Sequence, residues 1–529
     1  MKSEDFQLLP VHTGRRIIKN AIWNFIGRMG PTLSAFFLIP YVVTRIGKEY
    51  YGIWALSFIL TNYAGLLDLG FGTGLTKFVA EHFAVKDERS FLEEVNTGYF
   101  FYMIFGFLIS VLMWILTPHV VHLLKMDSRF ESEAVFALRG SFIAFLFINF
   151  LMLSNSILNG IQRMDLTNKI SLLNTFFNLI GTLIVLKSGL GLRGLILNSI
   201  IVAACSSLIA LFVNFGTISY FKLSPRFLSM NALKKLGLYG VKMQVSSVAG
   251  MIVTEFDKIL TAYFLSVAYL TFYQIGSRAC DFIKSFPMTA IGAILPTASE
   301  IDALEQRDIL RDLYERGSKY FLAISAPIII SVVFFGRTMI HFWMGDGFGP
   351  SATVLQLLSI AYLFNVVTTG CGTAIVRGIG KPGHLIPYAL TGMSASIILG
   401  IYFGKKFGLI GILAATGCSN FLSSSLFYVR FHRMMAWDSL RLLRIWGKGI
   451  ACMIIVLVPV SLVAPSIDRI AYNSNRIVSF LIIFLSSLII ILLYELTAIL
   501  VKYFDKQDLR IMKMERFAHP IAFLFDRKN

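Results

Sequence analysis

Six ionisable residues sit where ionisable residues are costly. Glu255, Asp257 and Lys258 interrupt one long apolar segment, and Arg278, Asp281 and Lys284 interrupt the next. No Asp, Glu, Lys or Arg lies between Lys258 and Arg278, and the two segments leave room only for a tight hairpin. With the apex near Ala268 and a rise of about 1.5 Å per helical residue, both clusters lie roughly 15 Å deep, near mid-bilayer. A charge there costs a few kcal/mol unless it is paired or faces a wet cavity, so it is usually kept for function. In such a hairpin Lys258 is level with Arg278 and Glu255 with Asp281, so direct cross-pairs would repel. The attractive partners are Glu255–Lys258 and Arg278–Asp281, each spaced i,i+3 on one helix face, or a diagonal Glu255–Arg278 contact. Lys284 extends the second stripe without an obvious partner. The cluster is therefore either a self-neutralised structural knot or a net-cationic patch lining a central cavity.

The elements that hold these residues are helices in a membrane. Hydrophobic residues make up 56% of the 529 and charged ones only 15%, against roughly 25% charged in soluble domains. Twelve charge-free runs recur between residues 29 and 494, and the charged segments 240–265 and 270–297 raise the candidate spans to 14. The runs do not alternate over about ten residues, which excludes a barrel. The expected fold class is all-α, a polytopic membrane protein of about 14 transmembrane helices.

A net charge of +18 could suggest nucleic acid, but its distribution argues for topology. An even number of spans puts both termini on one side. If that side is the cytoplasm, 32 Lys/Arg fall in inner segments, 11 in outer ones and 5 within spans, namely Arg28, Arg139, Lys258, Arg278 and Lys284. That bias obeys the positive-inside rule and gives a multi-pass inner-membrane protein with cytoplasmic termini. The basic residues then act as topology signals and contacts for anionic membrane lipids, with no nucleic-acid partner. Arg15–Lys19 reads as the inner anchor of the first span, and no cleavable signal is expected. The longest outer loops are expected at 118–133 and 337–351. Residues 301–316 alternate apolar and charged side chains like a helix lying at the interface.

Chemistry motifs are otherwise sparse. Gly70–Lys77 is glycine-rich but lacks the phosphate-loop spacing. Five scattered cysteines imply neither disulfide nor metal, and His119 and His122 lie at an outer loop. Nothing in the pattern requires an enzyme or a cofactor. A faint repeat lays Ile46–Trp54 over Leu265–Tyr273 at a shift of 219 residues, matching Tyr50 to Tyr269 and Trp54 to Tyr273. Six spans per unit would keep the halves parallel.

The N-terminal hundred residues carry a family pattern. Asn20–Thr44 with Asn24, Gly27, Pro31 and Pro40, then Gly47-Lys48-Glu49-Tyr50-Tyr51-Gly52-Ile53-Trp54, then Gly65–Gly72 around Asp68, resemble the bacterial polysaccharide flippase family. This family of O-antigen and capsule repeat-unit transporters lies within the multidrug/oligosaccharidyl-lipid/polysaccharide exporter superfamily. Phe272–Arg278 and Ile294–Glu300 resemble its second-half stretches. The resemblance implies a V-shaped molecule of two six-helix lobes plus two C-terminal helices. The expected domains are an N-terminal lobe at 1–216, a cytoplasmic linker at 217–237, a C-terminal lobe at 238–433, two further spans within 434–501, and a basic cytoplasmic tail at 502–529.

The resemblance also implies a function: turning polyprenyl-diphosphate-linked oligosaccharide from the cytoplasmic to the outer leaflet by alternating access. Arg278, Lys284 and Lys258, with Arg28 as a weaker candidate, would face the anionic diphosphate. Glu255, Asp257 and Asp281 would carry a coupling H+ or Na+ or form structural ion pairs. Asp68 matches the family stretch and sits where it would cap a helix turn. Glycosyltransferases and a polymerase would be functional neighbours. The competing classes are an ion-coupled multidrug antiporter of the same superfamily, whose cavity should be acidic, and a membrane polymerase or ligase, which needs a large outer loop.

Overall fold

The computed structural model describes residues 30–68, 70–505 and 508; among them there is no strand. In chain order the helices are α1 (Gly30–Ile46), α2 (Lys48–Gly65), α3 (Phe71–Ala84), α4 (Glu88–Leu123), α5 (Ser128–Gly160), α6 (Met164–Lys187) and α7 (Gly191–Thr217). They continue with α8 (Met230–Phe264), α9 (Val267–Ala303), α10 (Arg307–Met344), α11 (Gly349–Gly378), α12 (Ile386–Met435), α13 (Ser439–Tyr472) and α14 (Arg476–Leu500). Among the described residues nine helices are long and apolar enough to cross a membrane. The pair α2 and α3, bent by 51°, makes a tenth. α8 and α9 are long enough, at 35 and 37 residues, but carry the six charges.

α12 runs for 50 residues, about 75 Å if straight and more than twice a hydrocarbon core. It breaks at Gly408, whose φ of 59° and ψ of −134° are not helical. Each half is then long enough for one span. The described part of every charge-poor run lies mainly on a helix or on one half of α12, which is compatible with 14 spans.

The break also reveals the repeat. Gly189, between α6 and α7, has a φ of 74° and lies 219 residues before Gly408. The same offset relates the positive-φ residues Lys86 and Glu305, the first residues of α2 and α9, and the first residues of α4 and α10. Backbone punctuation thus keeps the period where side chains have drifted.

The chain divides into two units, one comprising the described residues to Met251 with Ser266–Thr271, the other Ile252–Leu265 with Phe272 onward. The first packs Phe91, Val95, Leu153, Ile157 and Ile170 into its core. Its α4 leaves Ile104, Leu108, Val111 and Ile115 exposed at helical spacing, the apolar face expected against lipid. The stretch 217–237 is fastened to α4. Asn96 Nδ2 donates to the Lys222 carbonyl at 2.9 Å, and the Ser224 amide donates to Asn96 Oδ1 at 2.7 Å. Residues 230–237 are already the first turns of α8. The second unit buries Phe335, Ile375, Phe427, Cys452 and Tyr494 together.

Two loop expectations need correction. The connections expected on the outer side are only residues 124–127 and 345–348, because helices continue past the end of their apolar runs. Residues 301–316 are not a separate surface helix. They span the end of α9, a turn, and the start of α10. Arg311–Glu315 and Arg316–Asp312 pairs, each 2.8 Å and spaced i,i+4, support α10 as it leaves the apolar layer.

Most of the 502–529 tail lies outside the described residues, but its start does not. Tyr503 and Phe504 are buried, and Tyr503 Oη donates to the Lys319 carbonyl at 3.1 Å. Asp508, fully buried, accepts from Arg316, Lys319 and Tyr320. Burial alone would raise the Asp508 pKa, but these donors win and hold it below the usual carboxylate value. Asp508→Ala should leave the buried Lys319 ammonium without its carboxylate, while Arg316 keeps Asp312, and cost about 3 kcal/mol, lowering the melting midpoint in detergent at pH 7. A depressed folded pKa gives stability above the unfolded value that is lost as pH falls through the folded one. The gap between parent and variant should therefore narrow below about pH 4. Equal midpoints at pH 7 would rule out a stabilising latch.

Candidate functional site

The α8–α9 hairpin turns at Leu265–Ser266, and Ala268, the expected apex, is already in the first turn of α9. That shift changes the register. Lys258 lies about 11 Å and Arg278 about 19 Å along the helix from the tip, so the two are not level. Tyr273, not a charge, comes beside Asp257.

All six charged residues belong to the second unit. Lys258 Nζ meets Glu255 Oε2 at 2.8 Å, the i,i+3 pair expected from the sequence. The expected Arg278–Asp281 pair is not formed. Asp281 instead takes Lys284 at 2.8 Å, also i,i+3, and Lys284 Nζ lies 3.5 Å from the centre of the Tyr362 ring. Both basic residues lie three positions from Asp281, and Lys284 gains the ring face as a second partner. Arg278 is exposed and makes no ion pair among the described residues.

Asp257 is 7% exposed and bonded on both oxygens. It accepts from Tyr273 Oη, from Thr416 Oγ1 at 3.4 Å and from the Lys258 amide at 2.8 Å. Its partners come from α8, α9 and α12, so one carboxylate ties three helices. α12 continues the polar interior with buried Ser419, Asn420, Ser423 and Ser424, and Asn365 of α11 donates to Ser424 Oγ at 3.0 Å. Tyr273, Tyr362 and Thr416 were not among the expected site residues. The hydroxyl-rich run from Thr416 to Ser425 was the readable signal, since such side chains in an apolar helix seek partners across it.

Asp68 lies apart from this cluster, in the first unit. It accepts from Tyr102 Oη at 2.6 Å and from the Gly70 amide at 2.9 Å, at the bend between α2 and α3. Arg139 rests 4.8 Å from the Trp114 ring. Arg28 lies outside the described residues. No group of three or more His, Cys, Asp or Glu among the described residues could hold a metal ion.

Residues 42–353 match the family described as polysaccharide biosynthesis proteins, a stretch that includes Asp68 and the whole charged hairpin. The chain belongs to that family. A putative O-antigen transporter of Shigella flexneri is 23% identical over 405 residues, covering 75% of this chain and 93% of its own. The probable flippase AglR of Haloferax volcanii is 21% identical over 419 residues, covering 78% and 82%. Among solved structures, the lipid II flippase MurJ in an inward closed conformation matches 90% of this chain and 98% of its own, with a TM-score of 0.64 at 17% identity. An inward-facing multidrug transporter of the MATE family matches 78% and 98%, with a TM-score of 0.63 at 14% identity. At these identities the solved structures establish the shared fold. The relatives named here for an activity are a putative transporter and a probable flippase.

Proposed function

We propose that this family member is a flippase that carries polyprenyl-diphosphate-linked oligosaccharide from the cytoplasmic to the outer leaflet by alternating access. It would serve surface polysaccharide assembly. The observation that carries the reading is Arg278, an exposed guanidinium about 19 Å along α9 from the hairpin tip, with Glu255 taken by Lys258 and Asp281 by Lys284. A free guanidinium at that depth offers a planar fork to a diphosphate, and the low dielectric strengthens the pairing. A multidrug cation would meet the wrong sign there.

Lys284 and Lys258 are held by their own carboxylates and would add positive field beside Arg278. Asp257 is the acid best placed to carry a coupling H+ or Na+, because its carboxylate is buried and bonded to hydroxyls of two other helices. The 32-to-11 bias of basic residues supports an inner-membrane setting with cytoplasmic termini, and supports anionic lipids as surroundings. The lipid-linked substrate would be built by glycosyltransferases on one face and consumed by a polymerase on the other.

Removing the gene should leave lipid-linked repeat units intact but confined to the cytoplasmic leaflet. Radiolabelled lipid extracts combined with a membrane-impermeant glycan probe on spheroplasts would measure this. Loss of repeat-unit synthesis, or normal surface glycan with new sensitivity to cationic drugs, would defeat the reading.

A further inference from the structure

One carboxylate outside the charged hairpin is shut away from water and left half-satisfied. Glu94 is the last charge before the apolar run 95–124 of α4, and it is 3% exposed. Its Oε2 is buried and has no hydrogen-bond partner among the described residues. Its Oε1 has two basic neighbours, Lys235 Nζ of α8 at 3.6 Å and His82 Nε2 of α3 at 3.8 Å. Lys235 Nζ also lies 3.4 Å from His82 Nε2. An ammonium can only donate, so His82 accepts there and is neutral. Lys235 is thus shared among Glu94, the imidazole and the Phe78 ring, whose centre is 4.2 Å away. The other charges facing Glu94 are acids, Glu81 of α3 and Glu93 of α4. Asp87, in the turn between those helices, lies 4.0 Å from His82 Nδ1. Burial outweighs the one nearby cation and pushes the Glu94 carboxyl up to about 7.

Glu94 sits where the connecting segment rests on α4. Besides Lys235, this part of α4 holds the segment through Asn96, bonded to residues 222 and 224. Thr97 Oγ1 also accepts from the Ser229 amide at 3.1 Å. Ala232, in the first turn of α8, is 5% exposed. All of these residues belong to the first unit. With the segment docked, ionising Glu94 leaves a charge cut off from water. Lifting the segment lets water reach it and returns the carboxyl toward its ordinary value near 4.5. The docked form therefore binds more protons than the loosened one between about pH 4.5 and 7, so docking strengthens as pH falls through that window. Local opening of this kind leaves the rest of the unit folded.

We propose that Glu94 is a proton-binding site that fastens the connecting segment and the first turn of α8 to α4 when protonated and loosens them when ionised. It lets pH on that side of the membrane act on α8, the helix that carries Glu255, Asp257 and Lys258. The proposal does not depend on what the chain carries. The test uses the full chain in detergent with its five cysteines changed to serine and Ala232→Cys added. Maleimide labelling of that buried position is compared at each pH with labelling of Met230→Cys, an exposed neighbour, which cancels the titration of the thiol itself. Relative labelling should rise about tenfold or more from pH 5.5 to pH 8.5. Glu94→Gln cannot ionise and should label slowly at both pH values. Glu94→Met serves the same purpose where the amide is poorly tolerated, and melting midpoints taken in parallel report folding. Lys235→Met removes the nearby cation and should steepen the rise, whereas His82→Gln should keep it. A pH-independent ratio in the parent, an equal rise in the Gln and Met variants, or loss of the rise in His82→Gln would overturn the proposal.

Discussion

Arg278→Ala should cut export of lipid-linked oligosaccharide by roughly a hundredfold, the loss expected when a charge-assisted pairing of about 3 kcal/mol with a phosphate is removed. It should do so without harming the fold. Sequence spacing alone paired Arg278 with Asp281, and on that basis the alanine would strand a carboxylate and lower stability. The structure gives Asp281 to Lys284 instead, so no partner is left behind. Parent and variant should melt together in detergent. Arg278→Lys should recover part of the export, since the point charge returns without the bidentate fork. A variant that melts several degrees lower, or exports normally, would return Arg278 to a structural role. By contrast Lys284→Ala should both slow export and destabilise, because it frees Asp281 and uncovers the Tyr362 ring.

The second large effect belongs to Asp257, where fold and transport can be separated. Asp257→Ala leaves the hydroxyls of Tyr273 and Thr416 buried without their acceptor and should cost about 3 kcal/mol. Asp257→Asn keeps an oxygen for both hydroxyls but cannot ionise. It should melt close to the parent yet lose most export, on the order of a hundredfold, if this carboxylate carries the coupling ion. Tyr273→Phe should fall between, destabilising modestly. Full export by Asp257→Asn would make the carboxylate a structural tie among α8, α9 and α12 and nothing more.

The sequence revealed the helical membrane fold because hydropathy is a one-dimensional signal. Nearly every span begins or ends at a charge, and the charged hairpin stood out because charges there are costly. What it could not supply was geometry that depends on a residue or two. The tip of the hairpin is marked by no glycine or proline, only by Leu265–Ser266, so an apex at Ala268 was equally natural and moved the cross-hairpin register. Arg278 and Lys284 both lie three residues from Asp281, and spacing cannot choose between them. The Tyr362 ring, which comes from α11, makes the choice. The connections expected at 118–133 and 337–351 proved shorter, because a helix needs backbone hydrogen bonds, not apolar side chains, once it leaves the membrane. The repeat was faint in side chains and plain in backbone, since Gly189 and Gly408 share a positive φ that few other residues tolerate.

The most direct measurement is translocation by the purified protein in liposomes that carry a fluorescent polyprenyl-diphosphate-linked oligosaccharide in one leaflet. Transfer is followed by a glycan-modifying reagent that cannot cross the bilayer. The parent protein should equilibrate the lipid between leaflets, and Arg278→Ala liposomes should match protein-free ones. Translocation no faster than in protein-free liposomes, under H+ and Na+ gradients of either direction, would contradict the flippase assignment.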